Sequence, residues 1–488
     1  MSMILAALLL IPFVAAIVSL IGSRRAAETV TVAAGVASLV LTVLLMPVVD
    51  RRGTVHAGVW LRVDAISLVF LLATSFLYAM AALYAIGYLR DASAPEEDTI
   101  RHVRRFYAGM NLFAWAMLSV PIVNDLALVW IGIEITTVVS ALLIAVEDTD
   151  GAAEAAWKYV VLASAGLSIA LLATVLMYFA GTTALGGSYE PRVTLLVAVG
   201  GSLPPTVVKL SFVLAVLGFG TKVGLVPVHT WLPDAHSEAP TPVSALLSGS
   251  LLTVSFYAIL RYVQIAQRSI GPTYPRTVLL IFGIASLLLA ALYVLDQRNL
   301  KRLLAYSSIE HMGILAIGTG FGATIALVGI FLHVLAHAAA KATAFFGAGS
   351  VLHKFGTQDM RSIRGGLDVL PWSGPLFVLA VLALGGMPPF GLFRSEFQIV
   401  TGGLAGDRFA LTATLVVLVT LAFFGLTLFS TRIMVSPGRD LPPRGEASGW
   451  MVAPMVLGVA VLLVLGVHPP ADLQRLLELA AGELRSVR

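Results

Sequence analysis

Apolar runs of about twenty residues, separated by short polar turns, recur along the whole chain. At about 1.5 Å of rise per residue, each is long enough to cross a bilayer as an α-helix. The pattern predicts about fourteen spans, near 3–22, 29–49, 64–89, 106–121, 123–146, 155–180, 205–228, 241–262, 276–295, 302–320, 324–350, 368–403, 409–433 and 450–468. Two of them carry internal breaks. The first contains Pro227, and the second contains Gly385-Gly386-Met387-Pro388-Pro389-Phe390-Gly391. Proline cannot continue the helical ladder, so both spans should be discontinuous helices. Residues 193–203 are apolar but short and read as loop. Residues 471–488 read as a short amphipathic surface helix. Met1 to Gly22 has no basic start and is followed by Arg24-Arg25, so it reads as a first spanning helix, not a signal peptide.

Composition agrees with an all-α integral membrane protein. Of 488 residues, 58% are hydrophobic and 12% charged, about half the charged share of a globular domain. The net charge of +4 is spread over loops and does not suggest nucleic-acid binding. With the N-terminus outside, Arg24, Arg25, Arg101, Arg104, Arg105, Arg298 and Lys301 fall on cytoplasmic segments. Arg51, Arg52, Arg62, Arg192, Arg261 and Arg268 fall on the opposite ones. The larger cytoplasmic share of Lys and Arg over all loops predicts both termini outside. There is no cysteine, which excludes disulfides, thiolate-held iron–sulfur clusters and Cys-based zinc sites on this chain. No phosphate-binding glycine motif or nucleophile elbow occurs. No redox cofactor site is expected here.

Against this background, the ionisable residues inside the spans carry the chemistry, because each is costly there. Lys222 lies five residues before Pro227 and is followed by Val228-His229-Thr230-Trp231-Leu232-Pro233-Asp234-Ala235-His236. Glu134, deep in the fifth span, is the expected partner of Lys222. Separating the two would free the lysine to release a proton. His333, His337 and Lys341 fall at i, i+4 and i+8, one polar stripe on a helix and suited to proton relay. Two histidines one turn apart could also hold a metal, but no further ligand is evident in the sequence. Glu310 and His311 lie deep in the tenth span. Arg394 and Glu396 follow the second break, and Lys209 lies in the seventh span. Pro227 and Pro389 each precede an aromatic residue by four and an acid by seven, a loose sign of two structural repeats.

The fourteen-span pattern, the Lys222–His236 stretch and Lys301-Arg302-Leu303-Leu304-Ala305-Tyr306-Ser307-Ser308 resemble the antiporter-like proton-translocating subunits. These include membrane-arm subunits of respiratory complex I (NADH-quinone oxidoreductase) and subunits of Mrp antiporters. Within that superfamily, Tyr306 to Gly313 looks most like component F of hydrogenase-4 and formate-hydrogenlyase-like complexes. The resemblance implies two inverted five-helix repeats, each with one broken helix. The corresponding divisions are 1–105, 106–263, 264–435 and 436–488. It also implies roles. Glu134 and Lys222 match the family's couple, His333, His337 and Lys341 its central axis, and Glu396 the ionisable residue of the second break. The eighth span departs from relatives that carry a lysine or histidine there. Ser248, Ser250 and Thr253 would have to hold water in its place.

The expected function is proton translocation in a redox-driven complex of the bacterial or archaeal cytoplasmic membrane. Glu134, Lys222, His333, His337, Lys341 and Glu396 would be the relay. Lys209, Asp234, Ser248, Ser250, Thr253, Glu310, His311 and Arg394 would support it. Expected partners are other membrane subunits, membrane lipid and a hydrogenase-like peripheral module that holds nickel–iron and iron–sulfur centres. Protons or Na⁺ would be carried. The rival readings are an Mrp-type Na⁺/H⁺ antiporter subunit and a structural, non-conducting subunit.

Overall fold

The computed structural model describes residues 2–90, 96–438 and 441–485. Its nineteen helices, in chain order, are α1 Ser2–Ile21, α2 Arg24–Arg52, α3 Ala65–Tyr88, α4 Glu96–Ser119, α5 Leu126–Ile144, α6 Asp150–Leu185, α7 Val193–Ala198, α8 Pro205–Val223, α9 Trp231–Glu238, α10 Thr241–Ile270, α11 Thr273–Val294, α12 Leu300–Phe321, α13 Thr324–Phe355, α14 Gly366–Val369, α15 Ser373–Leu384, α16 Gly391–Ala405, α17 Phe409–Val435, α18 Gly449–Val467 and α19 Ala471–Leu484. The sole sheet among the described residues is a hairpin of β1 Val55–Ala57 and β2 Leu61–Val63.

Among the described residues, eleven helices are long and apolar enough to cross a membrane. The other three predicted spans coincide with α4, α12 and the α15–α16 pair, which are more polar or interrupted. The core is central rather than peripheral. The most apolar stretch of α10 is 100% buried, and those of α3 and α13 are 89% and 83% buried. The equivalent stretches of α1, α2 and α17 are 33% buried, leaving broad apolar faces for lipid or a neighbouring subunit. Close approach relies on small residues. A Cβ on either Gly283 or Gly313 would come within 2.9 Å of the other's carbonyl oxygen, so α11 and α12 pack backbone to backbone there.

Both expected breaks are present. The first runs from Gly224, whose φ of +84° suits glycine, through the cis Val226–Pro227 bond to α9. Its irregular backbone is satisfied internally, as it must be in hydrocarbon. Leu225 N–H donates to Gly220 O at 2.8 Å, Val226 N–H to Ser286 Oγ at 2.9 Å, and Trp231 Nε1 to Thr221 O at 2.7 Å. The second break separates α15 from α16, with Gly386 at φ +67° and a cis Pro388–Pro389 bond.

Three expectations change. Residues 193–203 are not all loop, since Val193–Ala198 forms a short helix held by Val193 N–H to Asn124 O at 3.2 Å. The eighth span does not end near 262 but continues to Ile270, which turns Arg261 from a loop residue into a buried one. The C-terminal helix α19 does more than lie on the surface. It buries Leu476, Leu477, Ala480, Ala481 and Leu484 against the bundle. Its Glu483 carboxylate also accepts hydrogen bonds from the first two amides of α3 at 3.2 Å, the end where a negative charge is favoured.

Candidate functional site

Lys222 sits in the last turn of α8, fully buried. Its ammonium donates to the Tyr159 hydroxyl and lies 4.4 Å from that ring's centre and 5.8 Å from that of Trp231. Ser140 Oγ lies 2.7 Å from the Tyr159 oxygen and gives its own proton to Thr136 O at 2.5 Å. Tyr159 therefore accepts from Lys222 and donates to Ser140, a two-step hydrogen-bonded wire. Glu134 does not form the expected salt bridge with Lys222 among the described residues. It accepts from Ser164 at 3.2 Å, its second oxygen is buried without a partner, and its charge still reaches Lys222.

From Lys222 the aromatic wall leads inward. Trp231 packs tilted against Tyr159, with ring centroids 4.6 Å apart, and lies 6.3 Å from His236. His236 is fully buried, and neither ring nitrogen has a partner. Its ring lies 5.8 Å from Phe345 of α13, and the charges of Lys341 and Lys301 reach it. His236 thus stands between the Lys222 end of the first broken helix and α13, the helix that carries Lys341. A cavity of about 720 Å³ reaches this region from one end of the bundle, lined by Glu147, Asp148, Glu238, His353 and Lys301. Lys301 is not a headgroup anchor. It is buried and donates to Ala239 O at 2.8 Å.

The histidine–lysine stripe forms as the spacing predicts, and its partners come from α12 and α16. Lys341 donates to Leu304 O at 2.8 Å and to Ser307 Oγ, with the Glu310 carboxyl in electrostatic reach. His333 Nε2 lies 3.1 Å from His311 Nδ1, and His333 Nδ1 lies 2.9 Å from Ser395 Oγ. His337 lies 5.1 Å from His311 ring to ring, with both nitrogens unpartnered. Ligand atoms of His311, His333 and Glu396 lie within 4.8 Å of one another. The carboxylate that the sequence did not reveal beside the histidines is therefore supplied by α16. Such a spacing suits proton transfer and is also one that a cation could bridge. Glu396 opens onto a cavity of about 380 Å³ lined by Met387, Phe393, Phe397 and Phe423.

Some supporting residues fall elsewhere. Lys209 is exposed at the far end of α8, 5.6 Å from the Tyr274 ring, and takes no part in the axis. Asp234 is partly exposed and pairs with Arg302 at 3.4 Å and Lys158 at 3.9 Å. Arg394 reaches toward Gly466 O at 3.5 Å. Ser248 bridges to Ser308 at 2.8 Å, and Ser250 donates to Thr74 at 2.8 Å, but Thr253 bonds only to its own helix backbone. These serines lie on a π-helical turn, Leu247–Leu251, a local widening often found at functional sites. The matched spacing after the two prolines carries no chemical parallel. Trp231 is buried beside Lys222, whereas Phe393 is 40% exposed.

The sequence reading missed Tyr159, gave His236 no role and missed a buried ion cluster. Arg261 pairs with the fully buried Asp64 at 2.7 Å, Arg62 pairs with the same carboxylate at 3.0 Å, and Ser67 lies 3.2 Å from Tyr257. Ser250, Tyr257 and Arg261 recur at helical spacing along α10, a polar face that could have disclosed the cluster.

Comparison with known proteins bears on the whole arrangement. The family model described as NADH:quinone oxidoreductase/Mrp antiporter, TM matches residues 123–424. A hydrogenase-4 component F homolog of Methylacidiphilum infernorum is 34% identical over 474 residues, covering 95% of this chain and 96% of the relative. NADH-quinone oxidoreductase subunit N of Desulforudis audaxviator is 31% identical over 422 residues, covering 83% and 82%. A chain of the membrane-bound sulfane sulfur reductase, an archaeal respiratory membrane complex, superposes with a TM-score of 0.86 at 21% identity, covering 98% and 97%. With a family match across most of the chain and a relative 34% identical over nearly its full length, this multi-pass membrane protein belongs to the antiporter-like NADH:quinone oxidoreductase/Mrp transmembrane family.

Proposed function

We propose that the chain is the proton-translocating subunit of a redox-driven membrane complex, with a hydrogenase-like module as its redox partner. The supporting observation is one succession of ionisable groups, buried from Lys222 through His236 to Lys341, His337, His311 and His333, that runs on to the half-buried Glu396. Among the described residues, four of these groups, His236, His311, His337 and Glu396, keep a buried polar atom without a protein partner, as do Glu134 and Glu310 beside the path. Buried polar groups are normally satisfied, and water held along a relay would satisfy these.

In this reading the repeats 106–263 and 264–435 each contribute one broken helix. Both termini lie outside. Protons enter from the cytoplasm through the cavity at Lys301 and reach His236, which exchanges with Lys222 on one side and Lys341 on the other. They leave past His333 and Glu396. Movement of Glu134, driven by a neighbouring subunit, sets whether Lys222 holds its proton. Nickel–iron and iron–sulfur centres reside on the partners.

Two experiments test the reading together. The tagged chain is recovered from native membranes and its partners are identified, and acidification is then measured in inverted vesicles containing Lys222→Ala. Co-recovery of a redox module and loss of acidification are expected. Unchanged acidification defeats the relay, and recovery with small antiporter subunits alone, with Na⁺-dependent transport, defeats the redox assignment.

A further inference from the structure

Three helix ends meet at one face of the bundle: the end of α1, the start of α4 and the end of α5. Arg104 Nε bonds Gly22 O at 2.7 Å and fixes the first two together. α4 packs against both α1 and α5, and between them runs a trough of about 850 Å³. Its floor is α4, where Ala108 and Gly109 present little bulk. Its walls are Phe13 and Ile17 on one side and Leu142 on the other, all exposed.

The polar end of the trough is basic. Arg101, His102 and Arg105 share one face of α4, at i, i+1 and i+4, and both arginines are exposed. Neither arginine has an ion-pair partner among the described residues. Asp148 closes the facing lip. From Arg101 to Leu112 the floor runs about 16 Å at helical rise. That is about the depth of hydrocarbon in one leaflet. Cations at the rim, an apolar slot below them and the depth of one leaflet together match a lipid, not a soluble anion.

We infer that this trough binds one anionic glycerophospholipid, with its phosphate between Arg101 and Arg105 and an acyl chain along Ala108, Gly109 and Leu112. Cations beside an anionic headgroup favour its binding, so the two arginines give a preference over a zwitterionic lipid on the order of tenfold or more. The site is independent of the relay and rests only on the chain spanning a membrane.

The test uses the full chain purified in detergent and exposed to an equimolar mixture of phosphatidylglycerol and phosphatidylcholine, with bound lipid read by native mass spectrometry. The wild-type chain should retain phosphatidylglycerol about tenfold over phosphatidylcholine. R101Q/R105Q should remove that preference, and R51Q/R52Q, with both changes at the end of α2, should keep it. Equal retention by the wild-type chain, or an unchanged preference in R101Q/R105Q, overturns the proposal. A photo-crosslinking residue placed at Leu142 in native membranes gives a second readout. A phospholipid adduct supports the site, and a polypeptide adduct makes the trough a subunit interface and overturns it.

Discussion

Lys222 is held by Tyr159, not by Glu134. The lysine's ammonium donates to the tyrosine hydroxyl, and the glutamate accepts from Ser164 at 3.2 Å. A hydroxyl can take a proton from one side and give one to the other, which a carboxylate clamp cannot do without holding the charge. Tyr159→Phe removes the wire to Ser140 and leaves the ammonium against aromatic faces alone. A hydrogen bond to a charged group contributes about 1.5–3 kcal/mol. Proton translocation in vesicles carrying the assembled complex should slow by about tenfold or more, and an unaltered initial rate would remove Tyr159 from the path.

On the other side of His236, Ser395 orients His333. The serine gives its proton to Leu392 O at 2.8 Å, so His333 Nδ1 is the donor toward Ser395 and Nε2 faces His311. Ser395→Ala should cost only a few-fold in transport because the imidazole survives, while His333→Ala should abolish transport. Initial acidification rates for the two variants, compared at equal complex content, decide whether the serine positions the ring or is irrelevant to it.

The Asp64–Arg261 pair is a stability element. Both side chains are nearly inaccessible, and removing one partner strands the other. Loss of one side of a buried pair costs about 3–5 kcal/mol. Arg62 remains 3.0 Å from Asp64, which places Arg261→Met near the low end, about 3 kcal/mol. Thermal unfolding of the detergent-solubilised chain should shift clearly downward, and D64N/R261M should recover part of the loss.

Glu483 makes the C-terminal helix sensitive to pH. Burial, then the Asp64 charge, push its carboxyl up to about 7, against Arg261 and the amides of Ile66 and Ala65. A carboxyl raised in the folded state binds its proton more tightly there than in the unfolded chain. Its stabilising contribution is therefore complete below about pH 4.5 and is lost as the pH rises through about 7. Melting temperatures measured between pH 5 and 8 should fall with pH, and Glu483→Gln should flatten that slope.

Much of the fold was legible because hydrophobic run length and proline position act locally. The two breaks follow from Pro227 and Pro389, and the stripe of His333, His337 and Lys341 from helical period. What the sequence concealed depends on which helix packs against which. Tyr159 reads as one more aromatic in an apolar helix until α8 brings Lys222 to it. The link from His333 to His311 and Glu396 joins α13 to α12 and α16, and no spacing within one helix announces it. Arg261 was misplaced for a simpler reason. The hydropathy falls before α10 ends at Ile270, so a charged residue more than two turns before that end reads as the start of a loop.

Proton translocation by the intact complex carrying Lys341→Ala bears hardest on the relay. Lys341 joins Ser307 to the histidines and touches no exposed surface, so its loss should leave assembly intact while interrupting the axis. The expected result is normal recovery of the complex with vesicle acidification reduced at least tenfold while redox turnover is driven. Acidification equal to that of the wild-type complex would contradict the relay through this axis.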